Sequence, residues 1–213
     1  MPTACGFVDV LWLIKHAMLH SFRCWPLATL LLPALAQAHP HVWVTYDVAV
    51  QFRQGKIESL KERWVFDEDF TTAVLSDVAK DHKAGKPLTR AEAAKVKKGG
   101  FDNLQNYGYF QHVFIEKTPV NVKAPTDFVA KLEGNKMVYE FTLPLERPVD
   151  PHQGRVTLGF YDESFFVDYE PTRPTSVSLT GDGVGSCKLE SFEDHAHPIF
   201  YGSVNPLVWK VIC

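Results

Sequence analysis

Val42-Trp43-Val44-Thr45-Tyr46-Asp47-Val48-Ala49-Val50-Gln51-Phe52 alternates along its whole length. Val42, Val44, Tyr46, Val48, Val50 and Phe52 fall on one side, Trp43, Thr45, Asp47, Ala49 and Gln51 on the other. Successive side chains of a strand point to opposite faces, so a period of two predicts a long β-strand with one buried face. Arg53-Gln54-Gly55-Lys56 follows as a turn, with Gly55 free to take positive φ. A second alternating run then places Leu60, Glu62, Trp64 and Phe66 on one face and Lys61, Arg63 and Val65 on the other. Two such runs joined by a short turn form an antiparallel hairpin, and the fold is built outward from it.

Downstream, Asp67-Glu68-Asp69 puts acidic groups where a helix N-terminus favours them, and Phe70, Val74, Leu75 and Val78 continue at helical spacing. Thr89-Arg90-Ala91-Glu92 fits a capping box opening a second helix that fades near Gly99-Gly100. Strand character returns at 112–117, 127–132, 137–143, 155–161 and 165–169, with Gly134-Asn135 as a turn and prolines punctuating the connections. The expectation is a single α+β domain over residues 39–213: an antiparallel β-sheet with a helical (helix-loop-helix) insertion at about 69–106. The loop from Asp81 to Glu92 has an EF-hand outline, but Lys83, Gly85 and Lys86 stand where oxygen ligands and the turn glycine belong. Two lysines in an ion cage repel Ca²⁺, so no calcium is expected.

Upstream, Arg23, the apolar run Leu27-Ala28-Thr29-Leu30-Leu31-Leu32 and the small-residue series Ala34-Leu35-Ala36-Gln37-Ala38 have the order of a secretory signal. The run is too short for a membrane span of about 20 apolar residues. Residues 1–38 are therefore expected to be a signal-peptide region, with Met18 as its true start and cleavage after Ala36 or Ala38. The whole chain of 213 residues carries 22 Lys+Arg against 25 Asp+Glu. Without Lys15, Arg23 and Asp9 the exported part keeps 20 against 24, a charge of −4, together with seven His and two Cys. No basic cluster supplies the phosphate-neutralising surface of a nucleic-acid binder. Cys187 and Cys213, an even pair in an exported chain, are expected to form a disulfide worth about 3 kcal/mol.

His39-Pro40-His41 stands beside the expected cleavage site. Residues i and i+2 of a strand share a face, so His39 and His41 can converge on one ion, joined by the α-amine if cleavage follows Ala38. Cleavage after Ala36 would put His39 third in Gln37-Ala38-His39, a spacing suited to Cu(II) or Ni(II). Glu193-Asp194-His195-Ala196-His197 offers a second His-x-His, with carboxylates alongside. Nitrogen and oxygen donors suit Ni, Co, Zn or Cu. His195 and His197 join His39 and His41 only if the chain ends are neighbours. Of the isolated histidines, His112 reads as packed or capping, His152 as exposed in a turn and His82 as a charged-loop residue. Asp67, Glu68, Asp69, Asp162 and Glu163 could supply the paired carboxylates of a hydrolase, but acidic pairs beside turns are more often caps. Gly181-Asp182-Gly183-Val184-Gly185-Ser186 ends in Ser where a dinucleotide fingerprint needs Gly, so no nucleotide site is supported.

Four segments together resemble one bacterial family: His39-Pro40-His41-Val42-Trp43-Val44, Trp64-Val65-Phe66-Asp67-Glu68-Asp69-Phe70, Tyr107-Gly108-Tyr109-Phe110 and Tyr161-Asp162-Glu163-Ser164-Phe165-Phe166-Val167. That family, of unknown biochemical role, is described as the periplasmic component of an uncharacterised ABC-type transport system, and its members accompany nickel/cobalt-type inner-membrane permeases. The resemblance implies a periplasmic accessory of transition-metal transport. It carries over His39 and His41 as ligands, and Asp67 and Asp162 as polar positions of the site. It does not reach His195 or His197.

The expected function is thus a non-enzymatic, periplasmic metal-binding protein serving an inner-membrane metal permease. It binds no nucleic acid or nucleotide, and does not span the membrane after signal cleavage. A metal-free β-sheet module that docks on the permease through exposed aromatics is the alternative, and a periplasmic hydrolase using the Asp67 or Asp162 region the third.

Overall fold

The computed structural model describes residues 41–213; the expected signal peptide and His39 lie outside the described residues. The hairpin anchors the architecture. β1 (Val42–Arg53) and β2 (Lys56–Phe66) pair antiparallel from Val44↔Phe66 to Arg53↔Lys56, with a bulge at Gln51/Phe52. Val42, Val44, Tyr46, Val48, Val50 and Phe52 are all buried, as their alternation requires.

Two helices follow, α1 (Glu68–Val78) and α2 (Arg90–Gly99), and then a kinked 3₁₀ segment, Phe101–Phe110. Thr89 and Glu92 make the reciprocal capping box. α1 is tied to the sheet through the buried Thr71, whose hydroxyl donates to the Asp67 carbonyl at 2.7 Å and accepts from Met137 N at 2.8 Å. The remaining elements are β3 (Gln111–Ile115), β4 (Thr118–Pro119), β5 (Thr126–Glu133), β6 (Lys136–Val149), β7 (Val156–Phe160), β8 (Val167–Pro171), β9 (Val177–Gly181), β10 (Lys188–Glu193) and β11 (Leu207–Ile212).

They form two sheets. One has the order β5-β6-β2-β1-β8, with β9 also on β1; the other runs β10-β11-β7-β3-β4. The inner faces meet where Tyr46 of β1 packs 5.2 Å from Phe160 and 5.8 Å from Trp209, ring centre to ring centre. The first sheet is mixed rather than purely antiparallel, because β8 and β9 both run parallel to β1. The chain reaches β8 from β7 of the second sheet, and such a crossing lets a strand enter parallel. Among the described residues, no helix is long and apolar enough to cross a membrane.

Candidate functional site

Between the helices and the first sheet lies a cleft of about 420 Å³. Its floor is aromatic, from Trp64, Phe66 and Tyr139, and α1 supplies Phe70, Val74 and Val78 as one wall. Phe66 and Phe70 stack 4.4 Å apart, so the β2–α1 corner continues the floor into the wall. Phe101, Leu104, Tyr107 and Phe110 close a second side, and the 161–167 loop brings Asp162, Ser164 and Phe166 to the mouth. Gly108, Tyr109 and Phe110 are consecutive left-handed residues at φ 57°, 53° and 58°. Left-handed backbone at bulky residues costs about 1–3 kcal/mol each and gathers at ligand-binding and switch regions. Here it turns Tyr109 onto Phe101, 5.4 Å away, and Phe110 onto Tyr169, 5.5 Å away.

Asp67 and Asp162 both organise backbone at this cleft. Asp67 Oδ1 caps α1 by accepting from Phe70 N at 2.7 Å, while Oδ2 accepts from Trp43 N at 2.8 Å. Asp162, buried, accepts from the amides of Ser164, Phe166 and Val167 at 3.0–3.2 Å and from the Ser164 hydroxyl at 2.8 Å. The 161–167 loop is therefore wound around one carboxylate. These contacts occupy both carboxylates with backbone amides, Asp162 wholly and Asp67 in part with those of its own turn, the commonest use of such residues beside turns.

His41 borders this structure. Its N–H donates to the Phe166 carbonyl at 2.9 Å and its exposed imidazole packs 4.8 Å from the Phe166 ring. On the other side of the same loop, Phe200 N donates to the Glu163 carbonyl at 3.1 Å and the Phe165 and Phe200 rings lie 5.7 Å apart. The segment carrying His195 and His197 thus neighbours the loop that holds His41. His197 Nδ1 lies 2.8 Å from Asp194 Oδ2, and His195 Nε2 lies 3.6 Å from Glu193 Oε2. Burial pushes the Asp194 carboxyl up, but hydrogen bonds from His197 and the Ala196 N–H outweigh it and hold the group below its ordinary range. A carboxylate on Nδ1 is the arrangement that orients a metal-binding imidazole, leaving Nε2 outward. Among the described residues, however, neither His41 nor the 195/197 pair belongs to a group of three donor atoms within 4.8 Å of one another.

The other histidines have packing roles. His112 stacks on Tyr161 at 3.8 Å with the two rings nearly parallel, and its Nε2 lies 2.9 Å from the Tyr161 carbonyl. His82, in its charged loop, is well covered: its Nδ1 lies 3.1 Å from Glu92 Oε1, while Glu92 Oε2 accepts from Thr89 N. The Cys187–Cys213 disulfide is formed.

One residue on the hairpin's apolar face was not singled out from the sequence. Glu62 is fully buried behind the cleft's Trp64, whose Nε1 donates to Glu62 Oε2 at 2.7 Å. Burial pushes this carboxyl up to about 8, against the hydrogen bond from Trp64 and the nearby Gln111 side chain, which favour ionisation. Its negative charge would also push up the buried hydroxyls of Tyr46 and Tyr169 beyond the effect of their own burial. The sequence signal was present: a carboxylate two residues from Leu60 on one side and Trp64 on the other.

Residues 24–198 match the family model described as "Protein of unknown function (DUF1007)", and the chain belongs to that family. It is 33% identical over 102 residues to an "Uncharacterized 15.5 kDa protein in trpE 3'region" of Spirochaeta aurantia, covering 47% of this chain and 72% of that one. It is 22% identical over 136 residues to an "Uncharacterized protein" of Haemophilus influenzae, covering 61% of each chain.

Proposed function

We propose that this family member is an exported, periplasmic accessory of a transition-metal transport system, carrying Ni, Co, Zn or Cu as cargo through His39 and His41. In this reading it serves an inner-membrane permease of the nickel/cobalt type, as the periplasmic component of an ABC-type or similar system. The observation that carries the reading is convergence. Residues from four separated segments, Val42, Trp64, Phe66, Phe70, Phe110 and Asp162 among them, line one cleft. His41 is hydrogen-bonded to the loop at the mouth of that cleft. An exposed imidazole there can exchange an ion with a docking partner without any part of the fold opening. The local backbone duties of Asp67 and Asp162 favour a binding role over hydrolysis.

Calorimetric titration of the protein beginning at His39 with Ni(II), Co(II), Zn(II) and Cu(II) tests it. One ion should bind per chain, and changing both His39 and His41 to Ala should weaken it by roughly a hundredfold or more, a loss of about 2.7 kcal/mol or greater. Equal binding by the double variant would sink the reading.

The second reading, a docking module that needs no metal of its own, is favoured by the exposed aromatics. Tyr107 and Phe166, which line the cleft, are 67% and 46% exposed, and Trp43, next to the lining residue Val42, is 47% exposed. Enrichment of exposed aromatics is a mark of interfaces. Permease capture that survives loss of both histidines would select it.

A further inference from the structure

We propose that His152, Cys187 and Cys213 form a second, redox-gated site, closed as a disulfide and able to take one thiophilic cation such as Zn(II) once reduced. Among the described residues, these three are the one group of His, Cys, Asp or Glu whose ligand atoms all lie within 4.8 Å of one another. The first sheet-level reason is register. β10 and β11 pair antiparallel from Glu193↔Leu207 to Lys188↔Ile212, so the next position places Cys187 opposite Cys213, with Cα atoms 4.0 Å apart. Six backbone pairs hold the two sulfurs as neighbours whether or not the bond between them exists.

β11 in turn pairs with β7, whose first residue, Val156, faces Val211. The turn entering β7 therefore arrives at the same end of the sheet, and it carries His152. That turn is fixed by Asp150, whose side chain accepts from His152 N at 3.0 Å and whose carbonyl accepts from Gln153 N at 3.1 Å. His152 is exposed, so its ring is accessible to an incoming ion.

The dimensions suit a tetrahedral ion. Zn–S bonds near 2.3 Å and Zn–N bonds near 2.0–2.1 Å separate two sulfurs by about 3.8 Å and a sulfur from a nitrogen by about 3.6 Å. The three ligand atoms lie within 4.8 Å of one another, so small side-chain rotations reach these separations. Three protein ligands leave the fourth position open, as in exchangeable rather than closed structural sites.

The chemistry balances in two steps. A dithiol reductant gives two electrons and two protons to the S–S bond, yielding two protein thiols and its own cyclic disulfide. Zn(II) then replaces the two thiol protons, which pass to solvent, and forms two Zn–S bonds and one Zn–N bond. Metal occupancy and the disulfide exclude one another: a disulfide oxidant that takes two electrons from the two thiolates re-forms the S–S bond, is itself reduced to two thiols with two protons from solvent, and so releases Zn(II).

The site is independent of His39 and His41, and is tested in a chain with both changed to Ala. That chain is reduced with dithiothreitol, freed of reductant without air and titrated with Zn(II). Uptake of one equivalent is expected, with none in the oxidised form. His152→Ala, which leaves both thiols and the strand pairing intact, should weaken binding by at least the 10–100-fold typical of losing a supporting group. Cys187→Ser should abolish it, and circular dichroism checks that this variant folds. Co(II) in place of Zn(II) should show sulfur-to-metal charge transfer that His152→Ala alters. Equal uptake by oxidised and reduced protein, no uptake by either, or binding indifferent to His152→Ala would each overturn the proposal.

Discussion

Asp67 and Trp43 are joined twice: Asp67 N donates to the Trp43 carbonyl at 3.0 Å, and Trp43 N donates to Asp67 Oδ2 at 2.8 Å. One residue thus closes the β1–β2 end and, through Oδ1, caps α1 at Phe70. Loss of an N-cap costs about 1 kcal/mol and a hydrogen bond to a charged group about 1.5–3 kcal/mol. Asp67→Ala should therefore destabilise the fold by about 2–4 kcal/mol, and Asp67→Asn by clearly less, since its one carbonyl oxygen keeps one of the two bonds. Urea unfolding at neutral pH measures both. A loss below about 0.5 kcal/mol for Asp67→Ala would show that the junction is held by other contacts.

Glu62 makes stability depend on pH in an unusual direction. Its folded-state value, raised by burial to about 8, stands above the ordinary 4.5. The folded protein therefore binds more protons than the unfolded chain between those values, and stability falls as pH rises through that window. Below 4.5 this contribution carries no cost; above 8 the cost is complete, on the order of 5 kcal/mol. Glu62→Gln keeps an acceptor for Trp64 Nε1 without an ionisable group. It should match the wild type near pH 5 and exceed it at pH 9, by thermal or urea unfolding. Parallel pH profiles for the two proteins would contradict a buried, uncharged Glu62.

The hairpin was readable because its period of two coincides with its burial, and the helix starts were readable because caps are local chemistry. β9, β10 and β11 were not. In β10 every residue but Leu189 is exposed, so no alternation marks it, and β11 buries Val208 and Trp209 in succession. Parallel pairing of β8 and β9 with β1 is a property of the crossing between sheets, which no local pattern encodes. The same divide runs through the sites. The segments of the cleft could be quoted one by one from the sequence, but their meeting depends on tertiary packing. His152 read as an ordinary exposed turn residue because its approach to Cys187 and Cys213 follows from the β7–β11 register.

His112 opposes Glu62 in its pH effect. Burial lowers the tendency of its imidazole to protonate, more than the Tyr161 carbonyl and the nearby Glu163 and Asp162 charges raise it. With the folded value below the ordinary 6.5, the unfolded chain binds the extra proton first. Stability is full above about 6.5 and is lost as pH falls below it towards the depressed folded value. His112→Gln should flatten this acid-side slope while leaving the slope attributed to Glu62 in place. A wild-type acid slope unchanged in the variant would assign the effect to another group.

Tyr107 separates docking from folding. Its ring lies on the cleft rim, 67% exposed, against Phe110 at 6.0 Å. So little of it is buried that Tyr107→Ser should change stability by about 0.5 kcal/mol or less. If the rim is where a permease docks, this aromatic is a natural anchor, and truncating an anchor costs about 2 kcal/mol or more of binding energy. Pull-down of a co-expressed nickel/cobalt-type permease should then fall by roughly thirtyfold in apparent affinity, since each 1.4 kcal/mol is tenfold. The metal stoichiometry of the isolated protein should stay the same, because Tyr107 supplies no ligand to His39 or His41. Loss of metal binding with unchanged capture would reverse that assignment and place the aromatic rim in the ion site itself.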